Sequence, residues 1–115
     1  MARGSLAQGV EIGTSETDIY QTSAQLAKTL IQKAQFVNSA GAGVATLNVW
    51  ITPNDSASTS EAIKVIEDKQ IGVGDTYVAI ELIGEYVNTG AKVIAQCDIT
   101  GVNAWLNGNT FKTEV

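Results

Sequence analysis

Clusters of turn-forming residues interrupt this chain at short, regular intervals. They are Asn38-Ser-Ala-Gly-Ala-Gly43, Pro53-Asn-Asp-Ser56, Gly72-Val-Gly-Asp75, Asn88-Thr-Gly90, Thr100-Gly101 and Asn107-Gly-Asn109. Gly and Asn tolerate positive φ, Asp and Ser side chains close turns on their own backbone, and Pro pre-sets φ. Between the clusters lie segments of roughly 6 to 12 residues, too short for a helical bundle and the usual spacing of a sandwich or barrel.

Most of these segments alternate with period two, as strands with one buried face do. Leu47, Val49 and Ile51 share a face opposite Thr46, Asn48 and Trp50. Over 76–83, Val78, Ile80 and Leu82 are expected inside, opposite Tyr77, Ala79 and Glu81. Val93, Ala95 and Cys97 oppose Lys92, Ile94 and Gln96, and Val102, Ala104 and Leu106 oppose Asn103, Trp105 and Asn107. Asn107-Gly108 reads as a tight hairpin leading into 110–115.

Two segments fit either regular structure. In 23–36, Ala27, Leu30, Ile31 and Ala34 have helical spacing behind a Ser23 cap, yet Leu30, Gln32, Ala34 and Phe36 also alternate with Ile31, Lys33, Gln35 and Val37. The glycine-rich turn that follows leads straight into 44–52, which favours a strand over 29–38. Ser58-Thr-Ser-Glu61 has capping-box form before Ala62, Ile63 and Ile66, so 60–67 stays open between strand and helix, and α+β is the alternative fold class. Residues 1–15, poor in large apolar side chains, read as an extended N-terminal arm before a domain spanning 16–115. The expected fold is all-β: a single antiparallel β-sandwich, jelly-roll-like or Ig-like, of about 7–8 short strands.

Charge then removes whole classes of function. With seven scattered basic residues and a net charge of −5, the chain lacks the clustered Lys and Arg that phosphate backbones require, so nucleic acid is not expected as a partner. No run approaches the roughly 18 apolar residues of a membrane span, and residues 1–10 have no continuous apolar run of the secretory type. Charged residues make up only 17% of the chain, while Ser, Thr, Asn and Gln fill the polar positions, a surface suited to packed interfaces. The lone cysteine, Cys97, fits synthesis in a reducing cytoplasm and falls on an inward strand face.

Chemistry is scarce. The absence of histidine removes the commonest general base, the His-dependent triads and most zinc sites. Carboxylates such as Asp18, Asp55, Glu81 and Asp98 read as solvated strand faces and turn caps rather than an acid–base pair. Gly72-Val-Gly-Asp75 lacks the Lys-Ser or Lys-Thr of a phosphate loop and reads as a turn. No catalytic, cofactor-binding or metal-ligating residue is assigned. The aromatics Trp50, Trp105, Tyr86 and Tyr77 are the candidate interface or ligand contacts, with three readings for the tryptophans: a sugar-stacking platform, a subunit contact, or core.

Taken in order, the segments resemble the small virion structural proteins of tailed bacteriophages. The likeness rests on Val37-Asn38-Ser39 closing one strand, Val49-Trp50-Ile51-Thr52-Pro53 closing the next, Ile71-Gly-Val-Gly-Asp-Thr-Tyr77, Glu81-Leu82-Ile83, Thr89-Gly90-Ala91-Lys92 and Val102-Asn-Ala-Trp-Leu-Asn-Gly108. It covers about residues 16–113; Ala91-Lys92 stands where that family has an aspartate, and the N-terminal segment is longer. The resemblance implies a non-enzymatic accessory component of the virion, made in the host bacterial cytoplasm: a capsid decoration or cement protein, or a collar or tail attachment part. Its partners would be the major capsid protein or neck and tail proteins, and further copies of itself in a symmetric homo-oligomer such as a trimer. A carbohydrate-binding or host-attachment module, contacting sugar through Trp50, Trp105 and Tyr86, is the alternative, and a small enzyme or ligand carrier is a third class.

Overall fold

The computed structural model describes residues 2–39, 43–55 and 59–112. Its nine strands are β1 (Ala2–Ile12), β2 (Thr17–Gln21), β3 (Leu26–Asn38), β4 (Ala45–Ile51), β5 (Ile63–Ile71), β6 (Thr76–Val78), β7 (Tyr86–Asn88), β8 (Lys92–Cys97) and β9 (Val102–Lys112), joined by turns and one short 3-10 turn at Thr59–Glu61. The all-β reading therefore holds, and both ambiguous segments are strands from Leu26 and Ile63 onward, the capping-box residues Thr59–Glu61 forming only the 3-10 turn. Helical spacing in 23–36 is overridden because β3 is paired on both sides along its length, with β9 on one and β6 and β7 on the other.

Two antiparallel sheets face each other. One runs β1-β9-β3, with β6 and β7 end to end along the far side of β3; the other runs β2-β8-β4-β5. Pairing is nested: β1 with β9, β2 with β8, β3 with β6 and β7, and β4 with β5. Counting β6 and β7 as one interrupted strand, this is the winding of an eight-stranded jelly roll. The 13 residues of β3 span roughly 43 Å at about 3.3 Å each, which accounts for most of the 49 Å long axis.

The inward faces of β4, β8 and β9 are those the alternation predicts. Leu47, Val49, Val93, Ala95, Val102, Ala104 and Leu106 are fully buried, and Phe36 and Ile31 join them from β3. At roughly 1.5–3 kcal/mol per large buried side chain, this common interior is the main favourable contribution to folding.

Three expectations are corrected. Residues 1–15 do not stand off as an arm: β1 lies along β9 from Ala2 to Ile12, so the sandwich extends back to Ala2 rather than starting at 16. Small residues suffice there because β1 is an edge strand; among its described side chains Ala7 and Ile12 are the buried ones, and two bulges, between Ser5 and Ala7 and between Gln8 and Val10, interrupt the exposed edge against further pairing. Asn107-Gly108 is not a hairpin, since β9 runs straight through it. The glycine serves close approach instead: a Cβ at 108 would lie 2.1 Å from the Leu30 carbonyl oxygen. Finally, the alternation of 76–83 is inverted within β6 and lost after it: Tyr77, paired with the buried Phe36, takes the inward side, and Val78, paired with Gln35, faces out. The chain then leaves the sheet in tight turns, with Leu82 N–H donating to the Ala79 carbonyl and Glu85 N–H to that of Leu82, which bury Ala79 and Leu82 and leave Ile80 outside.

Polar ties join the sheets at one corner. Thr22 Oγ1 lies 2.8 Å from the Val87 carbonyl and 3.0 Å from Thr29 Oγ1, which is 2.7 Å from the Tyr20 hydroxyl. Thr22 Oγ1 donates towards both the Val87 carbonyl and Thr29 Oγ1, sharing its one proton between them, and Thr29 and the Tyr20 hydroxyl are bonded to each other. Thr22 and Thr29 are fully buried. Thr22→Val, which keeps the shape and removes the relay, is expected to cost about 1–2 kcal/mol in a urea titration with little change in the slope. Near the same corner Lys92 lies between Asp18 (3.4 Å) and Asp55 (3.8 Å), its side chain only 12% exposed. The lysine that departs from the virion-protein pattern is thus a clamp between β2 and the β4–β5 connection.

Candidate functional site

The four aromatics singled out by the sequence lie on different parts of the sandwich, so they form no single site. Three of them are engaged by lysines. Trp50 faces out of β4 between its cross-strand partners Lys64 and Ile94, with the Lys64 ammonium 5.4 Å from the ring centroid. Ile94 is buried although it belongs to no inward face, and the indole beside it supplies cover at cross-strand distance. Tyr77, half-buried on β6, has the Lys69 ammonium of β5 4.8 Å from its ring and donates its hydroxyl to Glu81, so it closes one side of the sandwich. Partial burial, the bond to Glu81 and that carboxylate's charge push its hydroxyl up to about 12. Tyr86 on β7 has Lys28 of β3 4.6 Å from its ring and edges a cleft of about 370 Å³ between the sheets, walled by Ile51, Pro53, Ile63 and Val65.

Trp105 is different. It projects from the outer face of β9 and is 45% exposed, and among the described residues no lysine sits over its ring. Its register partners are Gln8 on β1 and Gln35 on β3. The bulge at Gln8 and Gly9 places Gly9 at φ +61°, where a Cβ would meet Trp105 Cζ2 at 3.1 Å. A glycine is required twice over there: for the left-handed backbone of the bulge and for the close approach of the indole to the β1 main chain. The ring borders an open groove of about 660 Å³ whose other walls are Gly4, Ser5, Gln8, Gln32, Lys33, Asn107 and Gly108. The sequence marks Trp105 as outward; it does not show that Gly4 and Gly108, from opposite ends of the chain, line the same depression.

One surface escaped the sequence reading. Val78, Ile80, Ile83 and Tyr86 are 49%, 72%, 41% and 47% exposed along the β6–β7 edge, within nine residues of chain. The alternation had Val78 and Ile80 facing the core; register with Gln35 of β3 turns Val78 out, and the turns after β6 turn Ile80 out.

The ionisable groups have structural uses. Asp98 accepts the Thr46 N–H at 2.8 Å, and Glu67 lies 3.7 Å from Lys64. Among the described residues no three His, Cys, Asp or Glu side chains come together as metal ligands. Cys97 sits in the core at 2% exposure, and burial, aided by the Asp98 charge, pushes its thiol up to about 11, which leaves it a poor nucleophile at neutral pH. Comparison of the chain with protein-family models, curated proteins and solved structures finds no match.

Proposed function

We propose that this chain is a non-enzymatic structural subunit of a bacteriophage virion, an accessory component that attaches to the head, collar or tail through protein–protein contacts. The observation that carries the reading is the exposed apolar edge formed by Val78, Ile80, Ile83 and Tyr86. Single exposed apolar residues need no explanation, but four of them in one short stretch of sheet edge are what a subunit contact buries. The edge is broken into two three-residue strands, which suits side-chain docking and limits uncontrolled strand addition. The jelly-roll winding is common in capsid proteins, and it adds weight only as an analogy of fold. The family likeness seen in the sequence supplies the particle. A symmetric ring, a trimer among them, would bury the same edge in every copy.

The test is incorporation. Ile80→Lys combined with Ile83→Lys places charge on exposed positions and should alter stability by about 0.5 kcal/mol or less per site. Virions assembled with the double variant are expected to carry about tenfold fewer copies by quantitative mass spectrometry, a loss of roughly 1.4 kcal/mol in attachment. Wild-type occupancy by the double variant, or absence of the wild-type chain from purified particles, would overturn the reading.

A further inference from the structure

We infer that the groove beside Trp105 is a binding site for a neutral glycan. The inference is independent of the attachment edge, which lies on the other side of β3 from β9.

The argument begins with the ring. A pyranose presents a face of C–H groups that stacks on an indole, and it needs an aromatic surface held flat and left open. Trp105 meets both requirements. The Gly9 bulge lets the indole lie 3.1 Å from where a Cβ would stand, so the main chain supports one side of the ring, and the residue remains 45% exposed. Tyr86, Tyr77 and Trp50 each have an ammonium within 5.4 Å of the ring centroid, so a sugar stacking there would have to displace a lysine.

The walls decide the chemistry of the occupant. Sugar hydroxyls both donate and accept hydrogen bonds, and carboxamides and hydroxyls are the side chains that do the same. Gln8, Gln32, Asn107 and Ser5 line the groove, with Gln35 flanking the ring as a register partner. Among the described residues Lys33 is the single charged side chain of the wall, and the chain carries −5 overall, so a polyanion such as a nucleic acid or a sulfated glycan is disfavoured. A protein partner is disfavoured on other grounds: the buried centre of a protein interface is mostly apolar, and among the described residues of the wall one indole is the only large apolar group. A volume of about 660 Å³ lies in the usual range of small-ligand clefts, and the open trough suits a short oligosaccharide along β9.

The experiment uses the full chain with Trp50→Phe, so that fluorescence reports Trp105 alone. An array of neutral and acidic glycans is screened first. The retained neutral oligosaccharide is then titrated, with sialyllactose, a heparin hexasaccharide and decathymidylate as acidic controls. Binding of a neutral oligosaccharide that shifts the Trp105 emission is expected, and isothermal titration calorimetry, which needs no tryptophan, is expected to show Trp105→Ala weakening it by about tenfold or more and Asn107→Ala by about threefold. Circular dichroism establishes that each variant is folded, and Asn107→Ala carries the test if Trp105→Ala is not. The inference is overturned if no neutral glycan is retained, if both variants bind within about twofold of wild type, or if an acidic control binds better than every neutral sugar. It is equally overturned if Trp105→Ala changes only the sedimentation of the chain, since the face would then be a contact between copies.

Discussion

Gly108→Ala is expected to lower the stability of this protein by about 3 kcal/mol and its Tm by more than about 10 °C. The added methyl would stand 2.1 Å from the Leu30 carbonyl oxygen and 3.1 Å from Leu6 Cδ1. A flexible side chain gives way cheaply, but Leu30 O belongs to the backbone of β3, which is paired on both sides. Relief therefore requires β3 and β9 to separate where Ile31 faces Gly108, at the middle of the sheet. Such displacement is among the recognised causes of large single-site losses. Thermal unfolding followed by circular dichroism measures it. Gly4→Ala is the control: it faces Gly108 across β1 and β9, yet a Cβ there meets nothing within 4 Å, and a loss below about 1 kcal/mol is expected. Equal losses at the two sites would mean that glycine's backbone freedom, rather than the close approach to Leu30, is what matters at 108.

Asn38→Asp is the second large effect, and its size depends on pH. Asn38 is fully buried at the end of β3, where its amide nitrogen donates to the Gly43 carbonyl at 3.0 Å and the Ile71 carbonyl at 2.9 Å. Its main chain holds the β5–β6 turn as well, with N–H to the Asp75 carbonyl at 3.0 Å and its own carbonyl accepting Gly74 N–H at 2.7 Å. One side chain thus joins the end of β3, the approach to β4 and the end of β5. An aspartate there would set a carboxylate against two carbonyl oxygens in a buried site, at a cost of about 3–5 kcal/mol at pH 7. Burial and those acceptors raise the carboxyl's folded-state pKa above its unfolded value of about 3.9. The folded state then takes up the proton first as pH falls, so the deficit shrinks below the raised pKa and is smallest below both values, where a neutral acid can donate to one carbonyl. Asn38→Ala, which loses both bonds without adding charge, is expected to cost about 2–3 kcal/mol with no such pH dependence. Urea titrations of both variants at pH 4.5 and pH 7 separate the two contributions. A deficit for Asn38→Asp that is unchanged between those values would contradict a buried, acceptor-lined site.

Both residues lay inside clusters that the sequence marks as turns, and the reason they do more is a matter of range. Asn-Gly is a local signal for positive φ, and at 107–108 it was answered by a different need for glycine, the crossing of a strand that begins 82 positions earlier in the chain at Leu26. Asn38 is a turn residue by type, but its partner at Ile71 is 33 residues away. The candidate sites divide in the same way. That Trp50 and Trp105 face outward follows from period two along their own strands; which of them keeps an open ring depends on where Lys64 and the Gly9 bulge sit, on other strands. The Val78–Tyr86 edge was hidden because Val78 rather than Tyr77 was given the inward face of β6, and because alternation was carried past the point where β6 ends.

What could be read directly from the residue order was the kind of fold: short alternating segments between Gly, Asn and Asp turns leave an antiparallel sandwich, and they place Leu47, Val49, Val93, Ala95, Ala104 and Leu106 inside it. Those features are local, set by which side of a pleat each neighbour takes. The nested pairing, the recruitment of 2–12 as an edge strand, the close passage at Gly108 and the groove at Trp105 arise only when strands far apart in the chain meet. Backbone hydrogen bonding is indifferent to sequence, so the choice among partners falls to the packing of the whole interior, which no single segment contains.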